Sequence, residues 1–203
     1  MHFPDFYEKA PVVRTRDPFA AMLGAARDGM LEYCYVDAVR LAGHSCPTVA
    51  GAFLVGRAAL AALYPDEPAE RGNIAVHMPA PEHEGVTGVM AQVLTLLTGA
   101  ASDNGFHGIR GQFRRKGLLT FAEQREGESI TFKRLDTGAS VAVHLNVSPV
   151  PADPAQGERL AAILEGHAND LQRGAFSQAW QERVRRLLLE FADDPDVIRV
   201  RPV

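Results

Sequence analysis

The period of apolar positions changes several times along the chain, and each change marks an element. Two stretches are apolar on nearly every side. Residues 47–64 are rich in Ala and Gly with Arg57 as their one charge, and residues 85–102 carry no charge. Such sequences predict helices near the centre of a domain, where small side chains let neighbours approach. The first runs from Pro47 to about Tyr64, and the second from Gly85 to Thr98. Elsewhere the pattern alternates. Asn73–Met78, Leu118–Ala122, Ile130–Leu135 and Ala139–Val147 read as strands, the last three antiparallel, with Asp136-Thr137-Gly138 as a hairpin turn. Met30–Cys34 is a further short strand, and Ala38, Val39 and Leu41 belong to a helical turn that ends at Gly43.

Asp17-Pro18 and Asp153-Pro154 both have the form of an N-cap followed by proline at the first helical position. After Pro154 come two amphipathic helices. The second places Phe176, Trp180, Val184, Leu187, Leu188 and Phe191 at helical spacing, and Val197–Val200 suits an edge strand. The fold class is therefore α+β: an antiparallel sheet packed with Gly/Ala-rich buried helices, plus a C-terminal helical pair. Residues 1–150 form the expected core and 151–203 the helical extension.

At 203 residues the chain is long enough to bury a core without a disulfide or structural metal. Its formal net charge of −4 argues against a general nucleic-acid binder. Residues 85–102 contain Thr87, Gln92, Thr95 and Thr98, so they suit a protein interior better than a membrane. The N-terminal residues show no basic stretch followed by an apolar core, so no secretory leader is expected there. Two cysteines, Cys34 and Cys46, are too few for a disulfide framework and point to a reducing, cytoplasmic setting.

Cys46 carries the most chemical information. Pro47 fits the first position of the following helix, which puts Cys46 at its N-cap, facing unpaired backbone N–H groups and the positive end of the helix dipole. That setting favours metal binding or nucleophilic attack by a thiolate. His44 lies on the same tight loop, and an imidazole with a thiolate supplies half of a tetrahedral zinc site. The same residues also describe a buried structural cysteine beside a histidine bonded to a backbone carbonyl. Further ligands must come from elsewhere. His83-Glu84, in a Pro-rich loop before the second buried helix, is the best pair: His83 as a third ligand and Glu84 as a proton shuttle or a simple helix-terminal acid.

Other candidates are weaker. His107 sits between glycines in a loop and reads as exposed; His144 alternates away from an apolar strand face; His167 reads as a core or interface residue; His77 has no evident partner. Arg110, Arg114, Arg115 and Lys116 form a basic cluster that suits either an anionic ligand or a solvated loop. Asp136-Thr137-Gly138 has the form of the aspartic-protease triplet, but a hairpin explains it. Cys46-Pro47 also matches a dipeptide of some haem-sensing sites.

Residues 42–52, Ala-Gly-His-Ser-Cys-Pro-Thr-Val-Ala-Gly-Ala, resemble the FmdE-like family, which takes its name from a component of formylmethanofuran dehydrogenase and shows a Gly-His-x-Cys-Pro loop opening a Gly/Ala-rich helix. The likeness extends through residues 84–89, 98–100 and 105–108, and so covers roughly residues 30–148. It implies an α+β core, often dimeric, with a metal-type site at the positions of His44 and Cys46. The chain departs from the family in two ways. Many members place another cysteine where this chain has His83-Glu84, and some carry a C-terminal zinc finger, which a chain without cysteine beyond Cys46 does not form. The family name does not establish an activity.

Together these readings predict a metal-binding FmdE-like protein, with zinc or another divalent transition metal held by His44, Cys46 and His83. If it is an enzyme, the metal acts on a small molecule with Glu84 moving a proton. The alternative is a non-catalytic accessory protein that delivers or senses a metal or haem, and a third reading is a structural homodimer without metal. The expected partners are a small-molecule substrate or metal ion and a second copy of the chain, with neither nucleic acid nor membrane.

Overall fold

A computed structural model describes residues 2–203. At its centre is helix α3 (Pro47–Leu63), with Val49 through Val55, Ala59 and Leu60 all buried. The sparseness of charge in this stretch has a direct structural cause. At Gly51 an added Cβ would overlap Leu145 Cδ2, and at Gly56 another would stand 2.6 Å from Leu97 Cδ1. The helix is thus gripped on one side by the sheet and on another by α4 (Thr87–Thr98), which buries Ala91, Val93, Leu94 and Leu97. Helix α4 begins two residues later than its apolar run. Gln92 stays exposed on it, so its burial is extensive but one-sided.

The sheet against α3 has five strands in the order β5 (Leu119–Phe121), β4 (Ile74–Met78), β6 (Ser129–Arg134), β7 (Ser140–Leu145), β8 (Ile198–Pro202). Alternation in β4 sends Ile74, Val76 and Met78 inward, and β6 adds Ile130 and Phe132. The β4, β6, β7 and β8 pairings are antiparallel, but β5 pairs with β4 in parallel, so the expected all-antiparallel sheet is mixed. The connection explains it. Residues 79–118 carry the chain from β4 through α4 back to the same end of the sheet, a crossover of the kind parallel neighbours require. Alternation fixes which side chains face inward and says nothing about strand direction.

A second, three-stranded sheet joins β1 (Val13–Arg16) to β2 (Met30–Tyr33) antiparallel and to β3 (Ala69–Glu70) parallel. The apolar pattern reveals only β2, because β1 (Val-Arg-Thr-Arg) offers one apolar side chain and β3 has two residues. Helix α1 (Pro18–Met22) is capped by Asp17 as expected, and α2 (Tyr35–Ala42) ends at Gly43, whose φ of 75° is the left-handed conformation glycine adopts without strain. Near the C-terminus α5 (Gln156–Leu164) and α6 (Asp170–Leu189) form the helical pair. Val184, Leu187 and Leu188 of α6, with Val197 and Ile198, are buried in the same apolar cluster as α3. The core is continuous on both sides of residue 150. No described helix is long and apolar enough to cross a membrane.

Candidate functional site

Helix α3 starts where the sequence places it. Cys46 has extended backbone angles (φ −150°, ψ 168°), Pro47 takes the first helical position, and the backbone N–H of Val49 donates to Cys46 Sγ at 3.4 Å. Cys46 is 8% exposed. His44 stands one turn of loop earlier and is exposed, with Nδ1 2.9 Å from the carbonyl oxygen of Ala42. A carbonyl only accepts, so this contact places a ring proton on Nδ1 and leaves Nε2 as the nitrogen not engaged by it.

What fixes the loop comes from the far end of the chain. The indole Nε1–H of Trp180 donates to the Ser45 carbonyl at 3.0 Å, and the Gln181 amide donates to the same oxygen at 3.3 Å. The Ser45 hydroxyl donates to Gln181 Oε1 at 3.1 Å, Tyr7 donates to that oxygen at 3.0 Å, and Tyr35 shares a 2.9 Å hydrogen bond with the Ser45 hydroxyl. Burial pushes both tyrosine hydroxyls above their ordinary range, so they stay protonated. Sequence reasoning missed this clamp. Trp180 showed only as one apolar position of an amphipathic helix, and nothing local links it to a residue 135 positions away.

His83 and Glu84 lie elsewhere. His83 is exposed, and Glu84 precedes α4 without capping it; its carboxylate meets Arg125 at 2.6 Å. Among the described residues no three His, Cys, Asp or Glu side chains converge as metal ligands, so His83 does not complete a set with His44 and Cys46. His44 and Cys46 lie two residues apart on one loop, and the described residues assemble no closed three- or four-ligand centre around them.

The remaining histidines sort differently from their sequence reading in two cases. His167 is exposed in the turn after α5, not in a core. His77 has partners: Thr120 Oγ1 at 2.9 Å and Glu126 at 3.3 Å, on the outer face of the sheet. His107 is exposed and His144 points outward beside Glu128, as their positions suggested. Cys34 caps α2, and its thiol donates to Asp37 Oδ2 at 3.2 Å. Burial first, then Asp37, pushes that thiol up.

A cavity of about 330 Å³ lies beside α4, with Leu41 of α2, Glu82, Gln92, Thr95, Ser102 and Asn104 on its walls. Of the segments that resemble the family only Gly88 lines it, and none of His44, Cys46, His83 or Glu84 does.

No protein-family model matches the chain, and no curated protein does. Among solved structures the chain is similar to a tungsten formylmethanofuran dehydrogenase FmdE-like protein from Syntrophus aciditrophicus, at 17% identity over 84% of this chain and 72% of that one, with a TM-score of 0.44. The similarity is to the family that residues 42–52 resemble, at a level from which no function follows.

Proposed function

We propose that the chain binds a divalent transition-metal ion, zinc by the character of its donors, through His44 and Cys46. The observation that carries this reading is the orientation of His44. Its Nδ1 proton is spent on a backbone carbonyl and its Nε2 is free on an exposed ring, the arrangement that ordinarily presents a histidine to a metal. A thiol follows two residues later at the N-terminus of a 17-residue helix, on the same loop as the imidazole. When bound, such an ion supplies Lewis acidity toward a small molecule at its open positions. The exposure of His44 also favours the second reading, an accessory protein whose ion exchanges with a partner instead of serving catalysis.

Zinc loading followed by dialysis and elemental analysis tests the assignment. The parent is expected to retain about one equivalent, Cys46→Ser and His44→Ala less than about a tenth of that, and Cys34→Ser the parental amount. A parent that retains no metal, or a Cys46→Ser variant that retains all of it, ends the proposal.

We propose further that two copies of the chain associate through the α5–α6 turn, where Leu164 and Leu171 are 78% and 82% exposed. Light scattering at micromolar concentration is expected to give a dimer mass for the parent and a monomer mass for Leu164→Glu/Leu171→Glu. A monomeric parent ends this reading.

A further inference from the structure

The basic run before β5 is split by the fold. Lys116 turns toward Asp103 at 3.6 Å, while Arg115 goes inward until it is 9% exposed. There its Nη2 donates to Asp17 Oδ1 at 2.8 Å, and Arg71 Nη1 donates to Asp17 Oδ2 at 2.8 Å. Asp17 Oδ1 also accepts the backbone N–H groups of Phe19 and Ala20 as the cap of α1. One buried carboxylate therefore serves two guanidinium groups and a helix end. The shortfall is visible in the donors: Arg115 Nη1 and Arg71 Nε are buried without a hydrogen-bond partner. Burial lowers the proton affinity of Arg115, as expected for a charge that Asp17 compensates only in part.

This pair forms one wall of a cavity of about 470 Å³ that also includes Gly72, Asn73, Gln112 and Arg114. Arg114 is exposed; its Nε donates to the Lys116 carbonyl at 2.7 Å, and no described carboxylate forms an ion pair with it. The one carboxylate on the cavity wall, Glu70, is engaged by Arg16 at 2.8 Å. Four guanidinium groups (Arg16, Arg71, Arg114, Arg115) thus face two carboxylates (Asp17, Glu70), a surplus of two positive charges. The loop that presents the arginines is held in costly backbone. Arg110 and Phe113 have φ of 49° and 59°, and Phe19 stacks between Phe106 and Phe113 at 5.2 and 5.0 Å. Non-glycine residues in that conformation persist only where surrounding packing enforces them.

We propose that this cavity binds the phosphate dianion of a small phosphomonoester, through Arg114 at its mouth and the Arg71–Arg115 pair in its wall. The surplus of two charges matches a dianion, arginine forks match phosphate oxygens, and the volume accommodates an organic group beyond the phosphate. The proposal is independent of the metal reading, since neither His44 nor Cys46 lines this cavity.

Calorimetric titration of the full chain with glycerol 3-phosphate, at fixed ionic strength and pH 8 where the ester is dianionic, tests it. Saturable binding is expected. Arg114→Gln and Gln112→Glu, neither of which touches the buried network, are each expected to weaken it about tenfold or more, and Lys133→Gln on the outer sheet face to leave it unchanged. Inorganic phosphate is expected to bind more weakly than the ester, and acetate not to saturate. Non-saturable heats, parental affinity in both cavity variants, or acetate binding as tightly as the ester would each overturn the proposal.

Discussion

Two helices of this protein begin with a cysteine, and the two ends are built to opposite purposes. At α2 the cysteine accepts from the helix backbone and is also a donor to a carboxylate. The Cys34 thiol and its backbone N–H both reach Asp37 Oδ2, at 3.2 and 2.9 Å, so a carboxylate occupies the place an anionic ligand would take. At α3 the cysteine is an acceptor, receiving the Val49 N–H, with no acidic residue in the first turn. Helix length widens the contrast, 8 residues against 17. The lesson is that an N-cap cysteine is not in itself a reactive feature. The third residue of the helix decides whether the dipole's positive end is already neutralised.

The largest test of this contrast removes what only the second end possesses. Trp180→Ala deletes the shorter of the two donors to the Ser45 carbonyl and a large side chain packed against the core. It is expected to destabilise the chain by about 3 kcal/mol, the low end for truncating a tryptophan. Amide exchange is expected to quicken at Ser45, Cys46 and Val49 beyond the global loss, while Asp37 and Ala38 keep their relative protection. Equal loosening at both helix starts would show that the α6 clamp does not set the Cys46 loop apart.

Cap substitutions probe the two ends directly, with smaller effects. Cys46→Ala leaves the Val49 N–H without its acceptor and is expected to cost about 1 kcal/mol, while Cys46→Ser, with a better acceptor, is expected to be near neutral. Cys34→Ala is expected to cost about half as much as Cys46→Ala, because Asp37 keeps its bond from the Cys34 backbone N–H. Denaturant midpoints of the three variants decide it. A Cys34→Ala loss exceeding that of Cys46→Ala would reverse the expected order of the two caps.

What was legible in the sequence follows the range of the interaction that encodes it. The caps at Asp17 and Cys46, the turn at Gly43 and the buried helices α3 and α4 rest on neighbours within a few positions, and each shows in local pattern. The parallel placement of β5, the Trp180–Gln181 clamp and the pairing of Arg115 with Asp17 join residues far apart in the chain. Local periodicity carries no trace of them. The candidate site divides in the same way. His44 and Cys46 lie two residues apart on one loop, whereas the extension to His83 needed a tertiary contact that the fold does not make. Arg115 reads in the sequence as part of a basic run, and only its burial against Asp17 distinguishes it from Arg114.

The smallest expected effect is the pH dependence contributed by Cys34. Burial and the Asp37 carboxylate raise its thiol above the ordinary cysteine range, so the folded state holds this proton more tightly than the unfolded chain. The sign follows from linkage. Below the unfolded thiol's pKa, about 8.5, both states are protonated and the contribution to stability is fully present. As pH rises past that value the unfolded chain loses its proton first, and stability falls until the folded thiol also ionises. Melting temperatures measured from pH 7 to 10 are therefore expected to decline more steeply for the parent than for Cys34→Ser, whose hydroxyl does not titrate in that window. Asp37→Asn, which removes the neighbouring negative charge, is expected to reduce the difference between the two profiles. Parallel profiles for the parent and Cys34→Ser would mean that Asp37 does not hold the thiol protonated, and the contrast between the two helix starts would lose its electrostatic half.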